Sequence, residues 1–174
     1  MVSRIAPLHR VEARPYSARP ARNHSSPMSR YLDDFTVGEV FATDPVSLDE
    51  AEIVAFAQAY DPQWIHTDPA AAANGPYHGL IASGFQTIAA GFGQFIRLGL
   101  IDESSMGGPA MDEVRWTAPV YAGDTLTTTV EVIEARISRS KPDRGPLRLA
   151  FTIANQAGDT VATFQTTGII RRRP

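Results

Sequence analysis

A chain of 174 residues with 43% hydrophobic content is long enough to bury one sizeable core, and its length predicts a single domain. Cysteine is absent, which excludes disulfides, thiol nucleophiles and cysteine metal sites and makes the reduced cytoplasm the expected location. The net charge of -3 conceals an asymmetry: residues 1–30 carry six arginines against Glu12 alone, whereas residues 31–170 carry 18 acidic and seven basic residues, a sign that argues against a nucleic-acid-binding face.

No run approaches the roughly 18 apolar residues of a membrane span, and the N-terminus lacks a signal-peptide core. Residues 1–30 place Pro7, Pro15, Pro20 and Pro27 among Arg, Ser and Ala without an apolar period, which predicts a disordered basic arm. A targeting segment, or a start set upstream of Met28, is an alternative reading of the same composition. The fold is expected to begin at Tyr31 and to end at Ile170, leaving 171–174 as a basic tail.

Alternation from Val37 to Phe41 predicts a short edge strand. Ser47 and Glu50 match a capping box ahead of a helix whose apolar face is Ile53, Phe56, Ala57 and Tyr60. Asp61-Pro62 stops that helix, because the residue before a proline is pushed out of the α region, so Asp61 and His66 read as loop residues. Asp68 followed by Pro69 predicts an N-cap and first helical position, with the short helix ending near Asn74-Gly75. Residues 84–100 are apolar or small on nearly every side, as expected of a buried helix about 25 Å long. Gly91 and Gly93 are the positions at which strands would approach it closely. From Val114 onward the period becomes two, with Val114 and Trp116 on one face. Strands are expected at 125–137, 147–155 and 160–170, the last two joined by a tight turn at Gln156-Ala157-Gly158-Asp159. Early helices followed by consecutive antiparallel strands indicate an α+β fold, a sheet wrapped on a helix.

The stretch 61–84 has the layout of a site. A carboxylate and an imidazole five residues apart are able to hold one water between them, the geometry general acid–base chemistry needs. A glycine amide at the start of the following helix, Gly84, supplies a fixed donor and the positive end of the helix dipole. The bland readings stand beside these: Asp61 as a turn residue, and His66 as a packed histidine with one satisfied nitrogen. His66 and Asp68 lack a third ligand at metal-binding spacing, so no metal site is expected. His78 is a minor substrate-contact candidate. The loop 138–145, SRSKPDRG, offers Arg139, Lys141 and Arg144 to a phosphate, against the plainer reading of a solvated hairpin loop.

FAQAYDPQWIHTDPAAA at 56–72, GLIASGFQT at 79–87, VRWTAPVYAGDTL at 114–126 and NQAGDTV at 155–161 resemble the MaoC-like dehydratases, which include the (R)-specific enoyl-CoA hydratases. The resemblance covers 31–170. It implies a hot-dog fold, an antiparallel β-sheet wrapped around a long central helix, in a homodimer or a dimer of dimers. It also implies hydration of an enoyl-CoA thioester, with coenzyme A carried by the substrate and no further cofactor. The acid–base pair falls on Asp61 and His66, the oxyanion donor on Gly84, and further substrate contacts on Ser83, Gln63 and Trp64. The sequence departs from the better-known motif in two places. Gln63 and Trp64 stand where asparagine and proline are usual, and Ser83 stands where a histidine precedes the glycine. A thioesterase on the same fold and a non-catalytic acyl-CoA-binding subunit are the alternatives.

Overall fold

The computed structural model of the chain describes residues 29–174; most of the basic arm, residues 1–28, lies outside the described residues. After a 3-10 turn at Leu32–Asp34 come β1 (Val40–Ala42), β2 (Val46–Ser47), α1 (Glu50–Tyr60), α2 (Trp64–Thr67), α3 (Pro69–Ala73) and α4 (Gly84–Ile96). Four longer strands follow: β3 (Ala110–Trp116), β4 (Thr125–Ala135), β5 (Arg144–Ala154) and β6 (Thr160–Arg171). They form one antiparallel sheet in the order β1-β4-β5-β6-β3, with β2 paired to the start of β4. Among the described residues no helix is long and apolar enough to cross a membrane.

The period-two pattern of the sequence becomes the inner face of this sheet. Leu126, Thr128, Val130 and Val132 of β4, Leu147, Leu149, Phe151 and Ile153 of β5, and Ala162 and Phe164 of β6 are buried, and α4 packs against these three strands. Phe151 stacks on Phe164 with ring centroids 4.4 Å apart and meets Phe95 of α4 edge-on at 5.6 Å, geometries that add to the gain from burial alone. Gly91 lets the helix down onto β5: a Cβ there would lie 2.4 Å from Ile153 Cδ1. Gly93 does not share this role, since its Cβ direction meets only the guanidinium of Arg97. The helix stops at Ile96, short of the expected Leu100, because Gly99 at φ 73 ends the turn in the left-handed region.

Other local expectations shift by a residue or two. The capping box belongs to Asp49 and Glu52, with Asp49 Oδ1 accepting from the Glu52 amide at 2.7 Å. Ser47 instead pairs with Thr125 in the sheet and bonds its hydroxyl at 2.7 Å. Ile53 and Ala57 are the buried positions of α1, whereas Tyr60 is 75% exposed. Asp68 caps α3 through the Ala71 amide, with Pro69 at the first helical position. The 155–159 turn closes as expected: Asn155 Oδ1 accepts from the amides of Ala157 and Asp159, and Gly158 takes φ 86.

The packed body extends past both expected boundaries. The Arg30 amide bonds Leu100 O and its guanidinium pairs with Glu39. Arg172 and Arg173 pair with Asp33 and Asp34, so this part of the basic tail is docked.

In β3 the sequence alternation is interrupted. Asp112 lies opposite Gln165 and Arg115 opposite Thr163, so Glu113 and Val114 together face one residue of β6. Glu113 takes the unusual φ of 52 to make this bulge. An extra residue switches side-chain parity. Trp116, which an unbroken strand would turn the same way as Asp112, is thereby brought opposite Ala162 on the inner face.

Candidate active site

Asp61 caps the C-terminus of α1, its amide bonding Ala57 O at 2.8 Å and its backbone leaving the helix at φ -153, ψ 68. The chain then winds at once into the single turn of α2, with Gln63 as N-cap. His66 is therefore on a helical turn and not in a loop, and it is only 5% exposed. Its Nδ1 lies 2.8 Å from the carbonyl of Ile81. A carbonyl only accepts, so Nδ1 carries a hydrogen, and in the neutral ring Nε2 presents a lone pair. That nitrogen is 3.5 Å from Asp61 Oδ2.

Asp61 is held by two donors. Ser83 Oγ donates to Oδ2 at 2.6 Å and Gln63 Nε2 donates to Oδ1 at 2.7 Å. The Ser83 bond first, and then the Gln63 bond, draw the Asp61 carboxyl below the usual aspartate range; burial opposes them, and the nearby His66 adds a smaller lowering. Ser83 is fully buried and is the N-cap of α4, its Oγ also receiving the Phe85 amide at 3.3 Å.

Gly84 is the first residue of α4; a first-turn amide has no acceptor within its own helix. The indole of Trp116 lies against it: a Cβ at Gly84 would fall 2.5 Å from Nε1 and 2.6 Å from Cε2. Glycine is what lets that ring approach so closely. Together these residues line a cavity of about 440 Å³, with Asp61, Gln63 and His66 as its polar patch and Ile65, Ile81, Val120, Phe85 and Trp116 among its apolar walls. That volume is within the usual size for a small-molecule site.

The structure thus gathers Asp61, His66, Gln63 and Gly84 around one space. It corrects the placement of two other candidates. Ser83 does not line the cavity but stands behind Asp61. Trp64 is turned away, half-exposed and packed over Gly75, whose Cβ would meet its ring at 2.7 Å; it does not narrow the pocket. His78 is exposed, at φ 56, and is also not among the lining residues. The loop 138–145 is at the far end of the sheet, since β5 leads away from it for its whole length before reaching the end where Trp116 sits, about 33 Å at 3.3 Å per residue. Within one protomer its arginines do not line this cavity. Trp116, Phe85 and Tyr77 are lining residues that the sequence reading did not assign. The available signal was the position of Trp116 within VRWTAPVYAGDTL.

Comparison with known proteins identifies the family and the fold. A family model described as MaoC like domain matches residues 34–145. The uncharacterized protein YdeM of Bacillus subtilis is 34% identical over 141 residues, covering 81% of this chain and 99% of YdeM. The 3-hydroxyacyl-thioester dehydratase Z of Mycobacterium tuberculosis is 46% identical over 52 residues, which are 29% of this chain and 34% of that protein. Among solved structures, the MaoC-like dehydratase from Rhodospirillum rubrum superposes with a TM-score of 0.77 at 31% identity, covering 84% of this chain and 99% of its own. The fold is that of a hot dog; a double-hotdog protein of Mycobacterium tuberculosis shares it with a TM-score of 0.66 at 20% identity, over 84% of this chain and 45% of that one.

Proposed function

Because the chain belongs to the MaoC-like domain family, we propose that its cavity takes an enoyl thioester of coenzyme A and that Asp61 and His66 add water across the α,β double bond, or remove it in reverse. The observation that carries this reading is the 3.5 Å approach of His66 Nε2 to Asp61 Oδ2 in a cavity that also contains Gly84. An ionised carboxylate and an imidazole lone pair are both acceptors, so one water is able to donate to each and turn its own lone pair toward Cβ. The electrons of the double bond move toward the thioester oxygen. The Gly84 amide, backed by the dipole of a 13-residue helix, is suited to stabilise the charge that develops there. One proton leaves the water and one arrives at Cα, so the products balance without an added redox group or metal. Coenzyme A comes with the substrate. The name of the mycobacterial dehydratase, matched over 52 residues, supports the same reaction class.

The assembly that suits this site is a two-fold homodimer, alone or doubled. β3 is an edge strand and exposes Met111 and Trp116, beside Phe85 and Phe92 exposed on α4; unprotected edges of this kind are normally paired or covered.

Incubation of the full chain with crotonyl-CoA tests the reaction. Loss of enoyl absorbance without free thiol is the expected result. Thiol release would assign a thioesterase instead. Binding without turnover across straight, branched and carboxylated enoyl-CoAs would leave an acyl-CoA-binding subunit.

A further inference from the structure

We propose that Ser83 is a positioning residue which, with Gln63, holds Asp61 as a fixed carboxylate facing His66, so that the proton taken from water travels on His66 Nε2 and never on Asp61. This rests on the hydratase reading above. It goes beyond that reading by dividing the pair into one residue that moves a proton and one that holds charge.

The hydrogen-bond directions carry the argument. An amide only donates, so the Phe85 N–H occupies a lone pair of Ser83 Oγ at 3.3 Å and leaves the hydroxyl hydrogen for Asp61 Oδ2 at 2.6 Å. The chain of bonds therefore runs one way, from the N-terminus of α4 through Ser83 to the carboxylate. The other oxygen, Oδ1, is occupied by Gln63 Nε2 at 2.7 Å. Both bonds favour the charged form, so protonating the carboxyl would weaken them, and Ser83, fully buried, has little room to turn away. His66 is arranged in the opposite sense. Its Nδ1 is fixed on Ile81 O, and Nε2 has no hydrogen-bond partner among the described residues while facing the carboxylate at 3.5 Å.

The proton steps then balance. As the water oxygen bonds to Cβ, one of its O–H bonds breaks and the proton goes to Nε2, giving an imidazolium beside the Asp61 charge. The enolate held at Gly84 collapses, Cα takes the proton from Nε2, and the ring returns to neutral. Asp61 and Tyr77 are the other titratable side chains that line the cavity. α4 brings none to it, and nearby Asp68 is turned to the Ala71 amide.

The test uses the full chain and its Ser83→Ala, Ser83→Thr and Gln63→Met variants. Carbon NMR of the Asp61 side-chain carboxyl reads the clamp without turnover. It should titrate below the ordinary aspartate range in the wild type, move upward in Ser83→Ala, and return in Ser83→Thr. With crotonyl-CoA, the acid limb of kcat should lie above the carboxylate range, and Ser83→Ala should lower kcat about tenfold with KM nearly unchanged, the size expected for losing one hydrogen bond to a charged group. An unmoved Asp61 titration in both Ser83→Ala and Gln63→Met would overturn the clamp. An acid limb within the carboxylate range would overturn the division of roles while leaving hydration intact. A wild type that shows the Asp61 titration but hydrates no enoyl-CoA would instead sink the hydratase reading on which the division depends.

Discussion

Replacing His66 by alanine separates what the imidazole does for stability from what it does for chemistry. Read from the sequence as a loop residue, His66 would be removed at little cost to folding. The structure gives another expectation, because the side chain is 6% exposed and its Nδ1 bonds the carbonyl of Ile81, itself a buried residue. Alanine strands that carbonyl, at about 1–3 kcal/mol, and empties the volume of the ring; together the two effects come to about 3 kcal/mol. For a chain of this size that lowers Tm by about 6–12 °C. Turnover should fall about 10²- to 10⁴-fold. Asparagine places an N–H near the position of Nδ1 but has no counterpart to Nε2. His66→Asn should therefore recover most of the lost stability and none of the activity. Thermal unfolding followed by circular dichroism, alongside crotonyl-CoA turnover, reads both quantities. If His66→Asn melted as low as His66→Ala, the Ile81 bond would not be what stabilises the site, and activity within threefold of wild type in either variant would falsify the assignment of His66.

Gly91→Ala should cost about 1–3 kcal/mol by overpacking against Ile153, measured as a drop in urea midpoint, whereas Gly93→Ala, facing only Arg97, should be near neutral or stabilising. Gly84→Ala should leave Tm close to wild type, because half-exposed Trp116 is able to swing aside, yet lower kcat about 10²-fold as the oxyanion amide loses its setting; full activity would place the donor elsewhere. The folded Asp61 carboxyl titrates below its unfolded value of about 3.9. Its contribution to stability is therefore present above that pH and is lost as pH falls through the lower, folded value, so the Tm difference between wild type and Asp61→Asn should shrink on acidification from pH 6 to 3. Deleting residues 1–27 should preserve both a dimer and activity; an inactive monomer in sedimentation would assign the arm a structural part.

Features set by neighbouring residues were legible in the sequence. The Asp68-Pro69 helix start and the Asn155 to Asp159 turn follow from side-chain-to-backbone bonds within four residues, and the long strands follow from Thr and Val alternation. Features decided by a distant partner were not. Ser47-x-x-Glu50 and Asp49-x-x-Glu52 are equal candidates for a capping box until β4 claims Ser47 for the sheet. The end of α4 was hidden because Leu98 and Leu100 continue the apolar run while packing on the core from irregular chain. In the site, the spacing of Asp61 and His66 was visible. The Ser83 contact to Asp61 crosses 22 residues, and Trp116 reaches Gly84 only because the Glu113 bulge reverses its face, which no period in the sequence records.

The pairing of Arg172 and Arg173 with Asp33 and Asp34 bears on how the molecule is handled. It brings the first and last turns of the described chain to one pole, where β6 finishes nine residues beyond the Ala162 that lies opposite Trp116, about 30 Å from the cavity at strand spacing. A carrier domain, affinity handle or solid support joined after Pro174 would grip the protein by this pole, away from the cavity. Attachment chemistry aimed at Lys141, the single lysine of the chain, would grip it from the same side, because the 138–145 loop shares that end of the sheet.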